Sequence, residues 1–157
     1  EGKEWALAGD VYILGSLEEE VGAKGAKTAT FAIEPDACIA IDVTHAATPD
    51  GKRTNAETEL GKGPAIAVGP NIAKWVSDRA FALAKENDIP CQVEVIEGHS
   101  GTDAWAMQIV KEGFASGVIS LPLVYMHTPN EVGSLEDIEN LAKLLAAFAK
   151  NPGWEVI

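Results

Sequence analysis

Positive charge is scarce in this chain. Twelve Lys and Arg stand against 24 Asp and Glu, a formal net charge of −12 over 157 residues, and the sequence pI is near 4.5. Such a surface repels phosphate backbones, and no basic amphipathic segment is offered to an anionic membrane, so neither nucleic acid nor a membrane is expected as a partner. Cysteine is nearly absent. Cys38 and Cys91 lie far apart inside apolar segments with no C-x-x-C spacing, which excludes a disulfide framework and reads as two buried free thiols. No apolar run approaches the roughly 20 residues that span a bilayer. The opening Glu1-Gly2-Lys3-Glu4-Trp5 has neither an initiator Met nor the charged-then-apolar order of a secretory signal. A cytoplasmic location is the resulting expectation, and the missing Met also fits a piece of a longer protein. Internal repeats, low-complexity tracts and linkers are lacking too, so one domain with a substantial core is expected at this length.

What is present alternates between strand and helix signals. Residues 11–17 open with the apolar Val11-Tyr12-Ile13-Leu14 and read as a first strand. Residues 22–32 read as a short helix closed by Glu34-Pro35-Asp36. Residues 37–44 form a nearly continuous apolar run, the pattern of a strand covered on both faces, interrupted by Asp42. A long stretch without periodicity, 49–64, reads as a loop. Residues 65–68 and 92–96 are further strands. Between them Ile72, Trp75, Val76, Ala80 and Leu83 recur at helical spacing. Residues 102–111 should be a helix with Trp105, Ile109 and Val110 inward, and 118–121 begins a strand leading to Tyr125-Met126-His127. Ser134-Leu135-Glu136-Asp137 has the form of a capping box, ahead of a helix whose buried stripe would be Ile138, Leu141, Leu145 and Phe148. This alternation predicts an α/β fold, a three-layer α/β/α sandwich.

Polar residues gather at predicted strand ends. Glu19 and Glu20, in the acidic run Glu18-Glu19-Glu20 before Gly22, stand just past the first strand, Asp42 interrupts the second, and His127 follows the last. In open α/β sheets ligands bind at this edge. Two carboxylates and an imidazole suit Zn²⁺, Co²⁺ or Mn²⁺, and a spare carboxylate could take a proton from a metal-bound water. A plain solvated acidic turn is the competing reading of the Glu run.

Four motifs occur in order: Glu18-Glu19-Glu20-Val21-Gly22-Ala23-Lys24-Gly25-Ala26, Ile41-Asp42-Val43-Thr44-His45-Ala46, Gly101-Thr102-Asp103-Ala104, and Tyr125-Met126-His127-Thr128-Pro129-Asn130-Glu131. Together they resemble the M42 family of metallo-aminopeptidases, which includes glutamyl, lysyl and deblocking enzymes and members labelled endoglucanases. The resemblance implies a mixed sheet like that of the zinc aminopeptidase catalytic domain, with residues 1–157 as a partial catalytic domain whose N-terminal part is absent. It implies Glu20, Asp42 and His127 as metal ligands and Glu19 as the catalytic base. Two divalent metal ions are implied in the complete enzyme, zinc first, with cobalt or manganese as alternatives. A peptide substrate and a homo-oligomeric complete protein are implied as well. The family's upstream histidine and bridging aspartate have no counterparts here, so the isolated chain is expected to be inactive. Glu18 stands where the family usually has Gln, and Val124 where it has Arg, so no subgroup's substrate preference carries over.

Two other functions stay open at this point. One is a non-catalytic half-domain or remnant that needs a partner chain. The other is glycoside hydrolysis by Glu19 with a second carboxylate and no metal. The remaining candidates have plainer readings: His45 satisfied by local backbone, His99 in an exposed loop, Thr102-Asp103 as a helix start, Trp75 and Trp105 in the core. Trp5 and Trp154 near the ends would mark surfaces once packed against other sequence.

Overall fold

The computed structural model describes residues 7–48 and 58–153. In chain order these hold a 3-10 turn Glu19–Val21, α1 (Lys24–Ile33), β1 (Ala37–His45), β2 (Ala65–Val68), α2 (Lys74–Glu86), β3 (Gln92–Val95), α3 (Asp103–Met107), β4 (Ala115–Val124), β5 (Val132–Gly133) and α4 (Leu135–Lys150). The strands make one mixed sheet in the order β1-β4-β2-β3, with β5 on β4. β1 runs parallel to β4 from Ala37↔Ala115 to His45↔Leu123, and β2 parallel to β3. β2 meets β4 antiparallel at Ile119 and Ser120, while β5 meets it at Leu123 and Val124. Pro122, which has no N–H to give, stands in the gap between those two ladders.

Period two along the strands sorts side chains between two cores. Ile66 and Ile119 pack with Val76, Ala80 and Leu83 of α2 and Leu141, Leu144 and Phe148 of α4. On the opposite face Cys38, Ala40, Ala67 and Val118 pack with Ala26 of α1 and Ala104 and Met107 of α3. Helices therefore cover both faces, and the expected three-layer α/β/α sandwich with a mixed sheet is what forms. Gly117 is what allows α2 to lie on β4, because a Cβ there would stand 2.5 Å from Val76 Cγ1.

Several expectations need correction. Residues 11–17 form no strand: Val11, Tyr12, Ile13, Leu14 and Leu17 are exposed, Ile13 at 97%. Their apolar pattern finds no pairing partner, and a strand without a ladder is not stable on its own. β1 is accordingly an edge strand, with Ile41 exposed on the α2/α4 face and not covered on both faces. The helix expected over 102–111 spans only Asp103–Met107. Val110 is buried as expected, but Ile109, two residues past the end of α3, is 63% exposed. Of the expected α4 stripe, Leu141 and Phe148 are buried and Leu145 packs partly buried against the same core, whereas Ile138 is exposed and Leu144 is the side chain buried most fully.

Ser134 is the N-cap of α4 but makes no side-chain cap bond, so the capping box does not form. Asp137 turns inward instead. Cys38 is buried, whereas Cys91 is only half-buried. Burial pushes both thiols up, partly offset at Cys38 by bonds from Thr30 and Ser116. Trp75 is half-buried against the α2/α4 core, and Trp105 is half-buried outside both cores, against His99. The expectations for Trp5, Trp154 and residues 49–57 of the long loop fall outside the described residues. Among the described residues no helix is long and apolar enough to cross a membrane.

Candidate functional site

Because β1 and β4 are adjacent and parallel, their C-terminal ends share one edge of the sheet. Asp42 lies near the end of β1 on the α1/α3 face, two and four residues beyond Ala40 and Cys38, and opposite Ser120 of β4. His127 lies three residues beyond the end of β4. The turn Glu19–Val21 carries Glu19 and Glu20 and buries none of its residues. α3 begins with Asp103, behind Thr102, whose Oγ1 accepts from Ala104 N at 3.2 Å. The helix-start reading of Thr102-Asp103 therefore holds.

The contacts at this edge are few and specific. His127 Nε2 and Glu20 Oε1 are 3.6 Å apart, both exposed. Asp42 Oδ1 accepts from Val43 N at 2.8 Å. Glu131 Oε1 accepts from His127 N at 2.6 Å, which ties the His127 loop back on itself. Backbone strain is concentrated here. Of the seven non-glycine residues with positive φ among the described residues, Glu18, Ala23, Tyr125 and His127 flank these side chains. Each such conformation costs about 1–3 kcal/mol and persists only where surrounding structure imposes it.

Charge is unbalanced in the same place. Burial raises the Glu19 carboxyl above its ordinary value, and the negative charges of Asp42, Glu20 and Asp103 raise it further, with His127 opposing. Burial raises Asp42 as well. The Val43 N–H pulls it back, Asp103 and Glu20 push it up, and His127 lowers it. A carboxyl made more basic by burial and by neighbouring negative charge accepts a proton more readily than an ordinary one.

The donor set can be tested against a divalent cation. Two ligands of one tetrahedral zinc at ordinary bond lengths stand roughly 3.3 Å apart, and Glu20 with His127 comes near that spacing. Asp42 is close enough for its charge to be felt at Glu19. Yet among the described residues no three His, Cys, Asp or Glu side chains are gathered so as to hold a metal ion. The pair fits a shared cation, and the trio does not close.

The structure thus brings Glu19, Glu20, Asp42 and His127 to one edge. His99 is exposed in its loop, its Nδ1 accepting from Gly101 N at 3.0 Å and its ring 4.2 Å from that of Trp105. The His45 carbonyl accepts from Thr58 Oγ1 at 2.9 Å. Sequence reasoning passed over Ser16, whose Oγ donates to Asp103 Oδ2 at 2.5 Å across 87 residues. A polar residue inside an otherwise apolar 11–17 run was the available signal. A recess of about 370 Å³ lined by Asn71, Gln108, Phe114 and Ser116 lies where β4 begins, at the opposite edge, and contains none of these residues.

Known proteins match most of the chain. The sequence pattern of the M42 glutamyl aminopeptidase family matches residues 1–144. A lysyl aminopeptidase of Pyrococcus furiosus is 46% identical over 139 residues, 88% of this chain and 40% of the relative. Among solved structures, the aminopeptidase APDkam598 of the archaeon Desulfurococcus kamchatkensis superposes with a TM-score of 0.79 at 39% identity, over 87% of this chain and 40% of that one. The TET1 peptidase of Pyrococcus horikoshii, described as able to assemble into a tetrahedron or a large octahedral shell, gives 0.71 at 32% identity over 85% and 39%. The chain spans about 40% of the length of these relatives.

Proposed function

This chain belongs to the M42 glutamyl aminopeptidase family, and from that premise we propose that it is a segment of a metal-dependent aminopeptidase that removes N-terminal residues from peptides. The observation that carries the reading is Glu20 Oε1 and His127 Nε2 at 3.6 Å, beside a Glu19 carboxyl raised by burial and by neighbouring charge. Glu20 and His127 would hold one divalent cation and Asp42 a second, with zinc the expected metal and cobalt or manganese alternatives. When bound, such ions acidify water and polarise a carbonyl.

Glu19 is the proton carrier in this scheme. Its carboxylate takes the proton from the attacking water and returns it to the leaving amine as the peptide C–N bond breaks. Its raised basicity favours the first transfer, and its place on the Glu19–Val21 turn keeps it near the edge where the scissile bond would lie. His127 offsets the carboxylate charges that otherwise repel one another. Three candidate ligands that do not close into a site support the further statement that the isolated 157-residue chain is inactive. The same observation favours the second reading, a non-catalytic half-domain completed by a partner chain. Homo-oligomerisation belongs to this proposal for the complete protein. Glycoside hydrolysis by two carboxylates would leave His127 beside Glu20 without a role.

Elemental analysis for zinc and cobalt after dialysis, with turnover of leucyl- and glutamyl-anilides on the same samples, is the direct test. The isolated chain should bind less than one metal and turn over neither substrate, and Glu20→Ala/His127→Ala should remove what metal remains. A chimaera in which this chain replaces the matched stretch of the Pyrococcus furiosus relative should hold about two metals per chain and be silenced by a chelator. In it Glu19→Gln should cost on the order of 10²–10⁴ in kcat. A chimaera that binds metal and is indifferent to Glu19→Gln would sink the assignment of the base.

A further inference from the structure

Residues 11–17 reverse the usual order of burial. Val11, Tyr12, Ile13, Leu14 and Leu17 are exposed, while Ser16 is the residue of the run that turns inward. The hydrophobic effect cannot account for that choice. A hydrogen bond does: Ser16 Oγ donates to Asp103 Oδ2 at 2.5 Å, a charge-assisted bond of the stronger class. Immediately beyond Ser16 the chain enters a turn that is costly to hold. Glu18 has φ of 58°, Gly22 of 113° and Ala23 of 50°. The carbonyl of Glu19 accepts from both Gly22 N and Ala23 N, at 3.2 and 3.1 Å, and Gly25 N donates to Leu17 O at 2.9 Å. Gly25 is required there, since a Cβ would lie 2.3 Å from Leu17 N.

Side-chain support for this turn is thin. Lys24 Nζ reaches Glu18 Oε2 at 2.6 Å, but both groups are more than half exposed, and such pairs contribute little. The Ser16–Asp103 bond is the part-buried tie. Asp103 itself is fixed as the first residue of α3, behind the Thr102 cap. We propose that Asp103 is a positioning residue: through Ser16 it anchors the Glu18–Val21 turn to α3 and so holds Glu19 and Glu20 over the end of β1, facing Asp42 and His127. This rests on the reading of Glu19 and Glu20 as the working pair. The Asp103 charge acts on Glu19 and Asp42, which places its carboxyl on the site's side of α3. Its second oxygen, Oδ1, is buried with no hydrogen-bond partner among the described residues, so Asp103 has no other bond of this kind to hold it or to be lost.

Amide hydrogen exchange on the 157-residue chain tests the proposal without metal or turnover. Valine and threonine have the same shape, so Ser16→Val removes the hydroxyl that Ser16→Thr keeps. Ser16→Val should accelerate exchange of the Gly22, Ala23 and Gly25 amides by about tenfold or more. Ser16→Thr should stay near the parent, and amides of α2 and α4 should not change. Asp103→Ala should match Ser16→Val, and the double variant should exceed neither. In the chimaera, Ser16→Val should lower kcat with KM little changed. Equal exchange in the Val and Thr variants, additive effects in the double variant, or acceleration spread through α2 and α4 would each overturn the positioning role. Should Asp103→Ala not fold, the Ser16 pair decides alone. Altered exchange in a chimaera without turnover would keep the anchor and discard the aminopeptidase reading.

Discussion

Glu19 and Asp42 stand among four carboxylates with His127 opposing, and both are raised above their ordinary values, by burial first and by the like charge of neighbouring carboxylates, while the Val43 N–H pulls Asp42 back. The stability consequence has a definite sign. A carboxyl whose folded value is raised favours folding when protonated. Its contribution is present below the unfolded values of about 4.5 for Glu and 3.8 for Asp and is lost as pH rises through the higher folded values. At pH 7 both groups therefore oppose folding in the metal-free chain. Glu19→Gln and Asp42→Asn should each raise the melting temperature at pH 7, and the advantage should shrink to nothing below about pH 4. Thermal melts at the two pH values check this. A variant less stable than the parent at pH 7 would mean that the carboxylate makes a bond worth more than the repulsion it suffers. Stabilisation by neutralising the groups that the proposed chemistry needs is the trade expected of a site kept for function.

Asp137 shows how an element can be placed correctly and its side chain misread. It is 1% exposed, and its two oxygens accept from Gly61 N at 2.8 Å and Gly63 N at 2.7 Å. The carboxylate belongs to the loop entering β2 and not to the cap of α4. Gly63 has φ of 88°, so the loop turns in a conformation that side chains resist, and Asp137 holds it there. Asp137→Ala leaves two donors without partners and should cost about 2–5 kcal/mol in urea unfolding. A loss under 0.5 kcal/mol would mean that water replaces the carboxylate without penalty. The sequence announced α4, because Leu141, Leu145 and Phe148 keep helical spacing. It could not announce the Asp137 bonds, whose donors lie 74 and 76 residues away. The same limit hid Ser16–Asp103. β2 and β3 were legible as short apolar runs between turn residues. Residues 11–17 carry an equally good local pattern and form no strand, because pairing is not a local property. Glu19, Glu20, Asp42 and His127 were legible as strand-end polar residues and by ordered motifs. Their failure to gather three to one point is a matter of tertiary distance that no spacing encodes.

The whole molecule carries two features that act together at one boundary. Val11, Tyr12, Ile13, Leu14 and Leu17 form an exposed apolar strip, and β1 pairs with β4 on one side only. Among the described residues no backbone hydrogen bond joins the outer edge of β1, from Ala37 to Thr44, to another segment. Open edges and apolar strips are both templates for association. The opposing factor is the net charge of −12, which keeps copies apart at low ionic strength and is screened at high. The isolated chain should therefore self-associate in a concentration-dependent way, and raising salt from about 0.02 to 0.5 M should strengthen association, as the screening length falls several-fold. Ile13→Lys/Leu17→Lys should weaken it at every salt concentration while leaving the melting temperature nearly unchanged, since both side chains are already in water. Sedimentation velocity across concentration and salt reads all of this. A chain that stays monomeric at high salt, with Ile13→Lys/Leu17→Lys now destabilising, would carry a different meaning. Residues 11–17 would then have left solvent and taken the open edge of β1 as a sixth strand, and the Glu18–Val21 turn would be held by a ladder as well as by Asp103.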